Sequence, residues 1–269
     1  MRAEVMTLGT PNPRQREFLA CEKKYVAFGG ARGGGKSWAV RCKAKLLALR
    51  YAGIRILLVR RSLAELEANH LAFLRQELAD VAEYRAGERQ FRFCNGSVLQ
   101  FGYCGCDRDL DRYQGAEYDV IFLDEATQLK EQWMRQIAAC VRGVNDFPKR
   151  IYYTCNPGGP GHGYIKRLFI DRRFEDGEQP EDYAFIPARV TDNTALLARQ
   201  PDYLKTLEAL PYKLRRAWLE GRWDVFAGQV FQEFTDDPDH YDDRRWTHVI
   251  RPFDVPREWN IYRSYDFGY

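Results

Sequence analysis

Four short stretches of the chain are almost wholly apolar, at residues 25–28, 54–59, 118–123 and 150–155. Runs of this length suit strands covered on both faces. Between them the period lengthens. Trp38, Val40, Ala44, Leu47 and Ala48 are spaced for a helix over 38–49. Ser62 and Glu65 form a capping box for a helix reaching about residue 78, and a further helix is predicted over 131–141. Asn12-Pro13 reads as an N-cap with proline at the first helical position, opening a short helix through Glu17, Phe18 and Leu19. One stretch alternates instead: "RQFRFCNGSVLQFGY", residues 89–103, is a hairpin pattern centred on Asn95-Gly96. Strands and helices taking turns predict an α/β fold with a mostly parallel sheet flanked by helices. Beyond Pro160 glycine, proline and acids dominate to Asp182, followed by a strand-like "YAFIPA" and short helices near 202–209 and 212–220. The pattern divides the chain into a core at 1–184, a small lid or linker at 185–228 and a connector at 229–269.

Composition adds bounds. A chain of 269 residues can bury one substantial core. No apolar run approaches about 18 residues and no signal-peptide pattern opens the chain, so a soluble intracellular protein with no membrane partner is expected. Seven cysteines include no C-x-x-C pair and read as reduced thiols. The net charge of +3 is uneven, with fourteen Lys and Arg against three Glu in residues 1–61. That bias suits polyphosphate or nucleic acid, and a solvated helix face accounts for much of it equally well.

The chemistry starts at "YVAFGGARGGGKSWAV", residues 25–40, where five of the seven positions from Gly29 to Gly35 are glycine. Each glycine costs about 0.5–1 kcal/mol of backbone entropy relative to alanine. A phosphate cradle uses that freedom, because main-chain N–H groups can curl around the anion at a helix N-terminus. Gly30, Gly35, Lys36 and Ser37 meet the P-loop pattern G-x-x-x-x-G-K-[ST] between a strand and a helix, and Ala31, Arg32, Gly33 and Gly34 fill the loop. The 118–123 run leads into Asp124 and Glu125, where Asp124 suits a Mg²⁺ site shared with Ser37 and Glu125 suits polarising a water. A glutamate at that point favours the P-loop ATPases with an additional strand over signalling GTPases. "YYTCNPGG" puts Thr154 and Asn156 at a strand end where they can sense a γ-phosphate.

Taken together and in order, "GGARGGGKS", "RYQGAEYDVIFLDEAT", "TCNPGGPGHGYIKRLF" and "LEGRWDVFAGQVF" resemble the large terminase subunit of tailed bacteriophages and prophages. The resemblance implies a RecA-like ATPase that uses ATP and Mg²⁺ to drive double-stranded DNA through a portal protein. It also implies a small terminase subunit as partner, a homo-oligomeric ring on the portal, a mostly monomeric chain in solution, and residence in the cytoplasm of the bacterial host. In such a sheet the 150–155 strand lies between the P-loop strand and the 118–123 strand, with Thr154 beside both Lys36 and Asp124. Carried over by residue, Gln15 would read the adenine edge and Arg32 would contact the γ-phosphate. An arginine acting on a neighbouring subunit's ATP would be Arg112, with Arg142 second, because Gln114 stands just before Gly115 where relatives carry arginine. "IYRSYDFGY" resembles the first strand of an RNase H-like nuclease, whose first metal ligand would be Asp266. The remaining nuclease acids are missing, so this chain is not expected to cut DNA, and an end inside a β-pattern suggests that the natural protein continues. His162 is read as loop structure. A helicase-like ATPase and a non-hydrolysing nucleotide module stay open as alternatives, the latter disfavoured by Glu125.

Overall fold

The computed structural model describes residues 9–226, 237–245 and 247–262. The chain forms two units, Met1–Ala227 and Gly228–Tyr269. The first opens with α1 (Pro13–Ala20), β1 (Tyr25–Gly30), α2 (Lys36–Arg50) and β2 (Arg55–Arg60). The helix predicted after Ser62 is present with an interruption: α3 (Leu63–Leu66) passes through a π turn, Glu67–Leu71, into α4 (Ala72–Glu77). Then come β3 (Ala82–Arg85), β4 (Gln90–Phe93), β5 (Val98–Tyr103), β6 (Val120–Leu123), α5 (Glu131–Ala138) and β7 (Arg150–Cys155). Short α6 (His162–Ile165) precedes β8 (Tyr183–Ala188), and α7 (Thr194–Arg199), α8 (Asp202–Glu208) and α9 (Tyr212–Trp218) close the unit.

One sheet takes all eight strands in the order β3-β4-β5-β2-β6-β7-β1-β8. The six from β5 to β8 run parallel, and the hairpin at Asn95-Gly96 adds β4 and β3 antiparallel at one edge. β7 sits between β6 and β1, as a RecA-like order requires. The apolar runs are continuous because successive residues feed two cores. Val26, Phe28, Ile56, Leu58, Val120, Phe122 and Tyr152 pack on the α1/α2 side. Ala27, Leu57, Val59, Ile121, Leu123, Ile151 and Tyr153 pack on the α5/α6 side. Phe18 of α1 stacks on Phe28 at 4.8 Å, and Tyr152 stacks on Phe122 at 4.9 Å, tying three strands to the first helix.

Three expectations need correction. A division at 184/185 falls inside β8, which pairs with β1 along its whole length. Pro187 is tolerated there because β8 is an edge strand. The helix expected over 131–141 stops at Ala138, because Tyr118 pairs with Val141 in a parallel bridge that draws 140–142 out of helical geometry. Thr154 lies beside Asp124 as expected, whereas the partner of Lys36 on β7's extension is Asn156.

In the second unit the described residues form a short turn, Pro238–His240, capped by the Asp237 side chain. The stretches 227–236 and 263–269 lie outside the described residues, and with them Asp266. No helix among the described residues is long and apolar enough to cross a membrane.

Candidate active site

A cavity of about 670 Å³ opens at the carboxyl ends of the parallel strands, bordered by the P-loop, Arg60, Glu125 and Asn156. β1 runs straight into the glycines. A Cβ at Gly29 would lie 2.0 Å from the Cys155 carbonyl oxygen, so only glycine lets β7 approach here. Gly35 (φ +75°) turns the chain into α2, and a Cβ there would lie 2.4 Å from the Gln15 amide nitrogen. Four contacts hold the loop from outside. The Ala31 and Arg32 N–H groups donate to the Ala188 and Trp218 carbonyls at 3.0 and 2.8 Å. Asn193 Nδ2 donates to the Gly33 carbonyl at 2.7 Å, and Gln15 Nε2 to the Gly35 carbonyl at 3.0 Å. Gln15 Oε1 also accepts the Asn12 N–H at 2.9 Å, completing the capping box of α1.

Inside the cradle Lys36 Nζ donates to the Ala31 carbonyl at 2.5 Å and to Asn156 Oδ1 at 2.8 Å. Burial pushes its ammonium below the usual lysine range, opposed by the charges of Glu125 and Asp124. Asn156 Nδ2 in turn donates to both Glu125 carboxylate oxygens, at 3.1 and 3.2 Å. Glu125 has φ +54°, a left-handed conformation costly for a residue with a Cβ. It is held there by its own N–H, which donates to Thr154 Oγ1 at 2.8 Å. Thr154 Oγ1 donates onward to Asp124 Oδ1 at 2.5 Å.

Asp124 is 1% exposed, and its Oδ2 receives Arg60 Nε at 2.7 Å and His70 Nε2 at 2.8 Å. Burial alone would raise its pKa. His70, Arg60 and the Thr154 hydroxyl outweigh that and hold the carboxyl well below the usual range, so it is ionised. A carboxylate has about four lone-pair sites, and three are taken here, which leaves one for a metal-bound water. One carboxylate, the Ser37 hydroxyl and phosphate oxygens form the kind of donor set Mg²⁺ favours. Among the described residues no cluster of three or more His, Cys, Asp or Glu could hold a metal without a substrate.

The remaining expected residues are less converged. Arg32 lines the cavity, with its guanidinium 3.3 Å from the Trp218 ring centroid. Arg112 does not reach this cavity. It is 45% exposed, paired with Asp109 at 3.1 Å and stacked on Tyr103 at 4.0 Å. Arg142 borders a separate cavity of about 250 Å³ with Gln114. Arg60 and His70 are site residues that the motifs do not announce. Arg60 ends β2 as Asp124 follows β6, at the strand end where parallel sheets place ligands. For His70 one signal existed: Leu66, His70, Leu74 and Leu78 share four-residue spacing, a lone histidine in an apolar stripe.

Residues 27–235 match the family model described as terminase large subunit, T4likevirus-type, N-terminal. The chain belongs to the terminase large subunits. No curated protein matches it. Among solved structures, the large terminase of a thermophilic bacteriophage in complex with ADP superposes with a TM-score of 0.64 at 16% identity, covering 79% of this chain and 53% of its own. The same phage's terminase in complex with ATP-γ-S gives 0.62. The large terminase ATPase domain of Thermus phage P74-26 gives 0.57 at 14% identity, covering 80% of this chain and 94% of its own. This terminase chain therefore spans about half the length of the first of these proteins and nearly the whole of the Thermus phage domain, and shares their fold.

Proposed function

We propose that the chain hydrolyses ATP to move double-stranded DNA into a procapsid. The observation that carries the reading is the unbroken hydrogen-bonded path from Lys36 through Asn156, Glu125 and Thr154 to Asp124, around one cavity of a terminase fold. Binding starts at the P-loop. The N-terminus of α2 and the Lys36 ammonium take the β- and γ-phosphates, and Lys36 exchanges its protein oxygens for phosphate oxygens. Gln15 keeps one N–H and one lone pair free of the bonds described above, the pair an adenine edge needs. Glu125, aimed by Asn156, orients a water and takes its proton as the water oxygen bonds to the γ-phosphorus and the bond to the bridging oxygen breaks. Arg32 and Lys36 stabilise the charge on the transferred group. Ser37, and Asp124 through a water, would hold Mg²⁺, which would supply further charge neutralisation when bound. Thr154 and Asn156 report the presence of the γ-phosphate to β7.

The partners in this reading are double-stranded DNA, a portal protein, a small terminase subunit and further copies of this chain in a ring, in the host cytoplasm. Arg112 or Arg142 of a neighbouring copy completes the site. Asp266 is the first metal ligand of an RNase H-like nuclease site in this reading. Phosphate release from ATP, with and without double-stranded DNA, tests the reading. Release that Glu125→Gln abolishes supports it, and absence of release from the wild type under both conditions overturns it.

A further inference from the structure

Of the two π turns among the described residues, Glu67–Leu71 and Lys166–Ile170, the first carries a side chain that meets Asp124, and single π turns gather at functional sites. Here the Ala72 N–H bonds to the Glu67 carbonyl five residues back. The turn also redirects polar groups toward the cavity wall. The Glu65 carbonyl accepts Asn69 Nδ2 at 2.8 Å and Arg60 Nη1 at 3.4 Å, while the Asn69 carbonyl accepts Arg41 Nη1 at 2.7 Å. Within the turn His70 is 0% exposed. Its Nε2 meets Asp124 Oδ2, and its Nδ1 is buried with no hydrogen-bond partner among the described residues. Packing alone does not explain an imidazole there. The same stripe is filled by Leu66, Leu74 and Leu78, and a fourth leucine would leave no orphaned nitrogen.

We infer that His70 is a positioning residue for the carboxylate of the metal site, fixing Asp124 through Nε2 so that its one open lone pair stays available to a cation-bound water. The inference rests on the ATP-metal reading above. Asp124 Oδ2 has two donors, and they differ in freedom. Arg60 borders the cavity and also lies 3.8 Å from Glu125, whereas His70 is enclosed and its one hydrogen bond among the described residues is to Asp124. Arg60 can exchange partners during turnover. His70 cannot, so between states the placing of Asp124 Oδ2 falls to it, while Thr154 holds Oδ1. Partners of this outer kind change metal affinity by about 10–100-fold when removed.

The test uses the full chain with ADP and Mn²⁺ as the probe, free Mn²⁺ being read by electron paramagnetic resonance. His70→Ala is expected to weaken Mn²⁺ binding to the protein–ADP complex by about 10–100-fold, with ADP binding in EDTA unchanged. His70→Gln is expected to restore most of the affinity, because its Nε2 reaches the position of the histidine Nε2. His70→Asn is too short and is expected to remain weak. If the alanine variant does not fold, the Gln–Asn contrast decides: Gln stronger than Asn supports the assignment, and equal affinities overturn it. Wild-type Mn²⁺ affinity in His70→Ala also overturns it, as does equal loss in all three variants accompanied by loss of ADP binding in EDTA. Should the wild-type complex hold Mn²⁺ no more tightly than ADP alone, the ATP-metal reading itself fails and the inference with it.

Discussion

The Asn156 side-chain amide joins Lys36 to Glu125, its oxygen 2.8 Å from the ammonium and its nitrogen 3.1 Å from the carboxylate. A single planar group thus sets the separation between the phosphate-binding cation and the water-orienting anion. Asn156→Ala should lower kcat by about 10²-fold through misplacement of Glu125, with a smaller rise in KM. Steady-state kinetics check this, and a change confined to KM would assign Asn156 to binding alone.

Glu125→Gln should bind ATP as the wild type does and turn over about 10²–10⁴-fold more slowly, the range for a positioned general base. Lys36→Ala should weaken binding as well, since its charge meets the ground-state phosphates. Fluorescent-nucleotide titration beside phosphate release separates the two, and equal loss of binding in both variants would refute these roles.

Gln15 has two tasks to lose. Gln15→Ala removes the capping-box partner of α1 and the donor on the Gly35 carbonyl, which should cost about 1–2 kcal/mol of stability. It should also narrow the preference for ATP over GTP. Urea denaturation reads the first effect and competition binding the second; an unchanged preference would leave Gln15 as a buttress only.

Lys43 gives a pH signature. Its ammonium caps the end of α1 at the Leu19 and Cys21 carbonyls, 2.5 and 3.2 Å away. Burial, with Arg150 nearby, lowers its pKa from 10.5 to about 8. The folded chain therefore binds fewer protons at this site than the unfolded chain between those values. The penalty for burying the charge is complete below about pH 8 and disappears toward pH 10.5, so stability rises with pH across that window. Relative to Lys43→Met, the wild type should gain about 2–3 kcal/mol across it, measured by urea denaturation. A difference that stays flat with pH would refute the shift.

An arginine supplied by a neighbouring subunit is worth about 10³–10⁵ in rate in related phosphoryl transfer. The isolated chain should accordingly be a weak ATPase that speeds up with concentration. Arg112→Ala mixed with Glu125→Gln should regain activity, since one pairing then carries both working groups. Wild-type turnover by Arg112→Ala alone would pass the role to Arg142, as would an inactive mixture of two variants that are each inactive alone.

The central sheet and the P-loop were legible because both rest on local sequence: uninterrupted apolar runs, and glycines before Lys36. β3 was not, since Glu83 and Arg85 on a half-buried edge strand leave no apolar run. Arg60 and His70 were hidden for another reason. Each meets Asp124 only because β2 lies beside β6, a neighbour relation that no spacing within either segment encodes. The division at 184/185 cuts β8 for a similar reason, because "YAFIPA" shows a strand without showing which sheet it joins. Gln15 was expected at the site from the resemblance alone; its bond to the Gly35 carbonyl crosses from α1 to the P-loop and becomes visible only after folding.

β1 lies between β7 and β8, so among the described residues the earliest of the eight strands pairs with the two latest. Its partners end at Cys155 and Ala188, and the carbonyl that receives the Arg32 N–H belongs to Trp218. At about 5–20 residues per second, synthesis of the intervening chain takes roughly 10–30 s. Until Cys155 has emerged "YVAFGG" has no sheet partner, and of the four contacts described above for the loop after it only the one from Gln15 comes from earlier in the chain. The phosphate-binding loop thus takes its final shape only when Trp218 has followed, which makes any nucleotide-assisted step of folding a late event in synthesis.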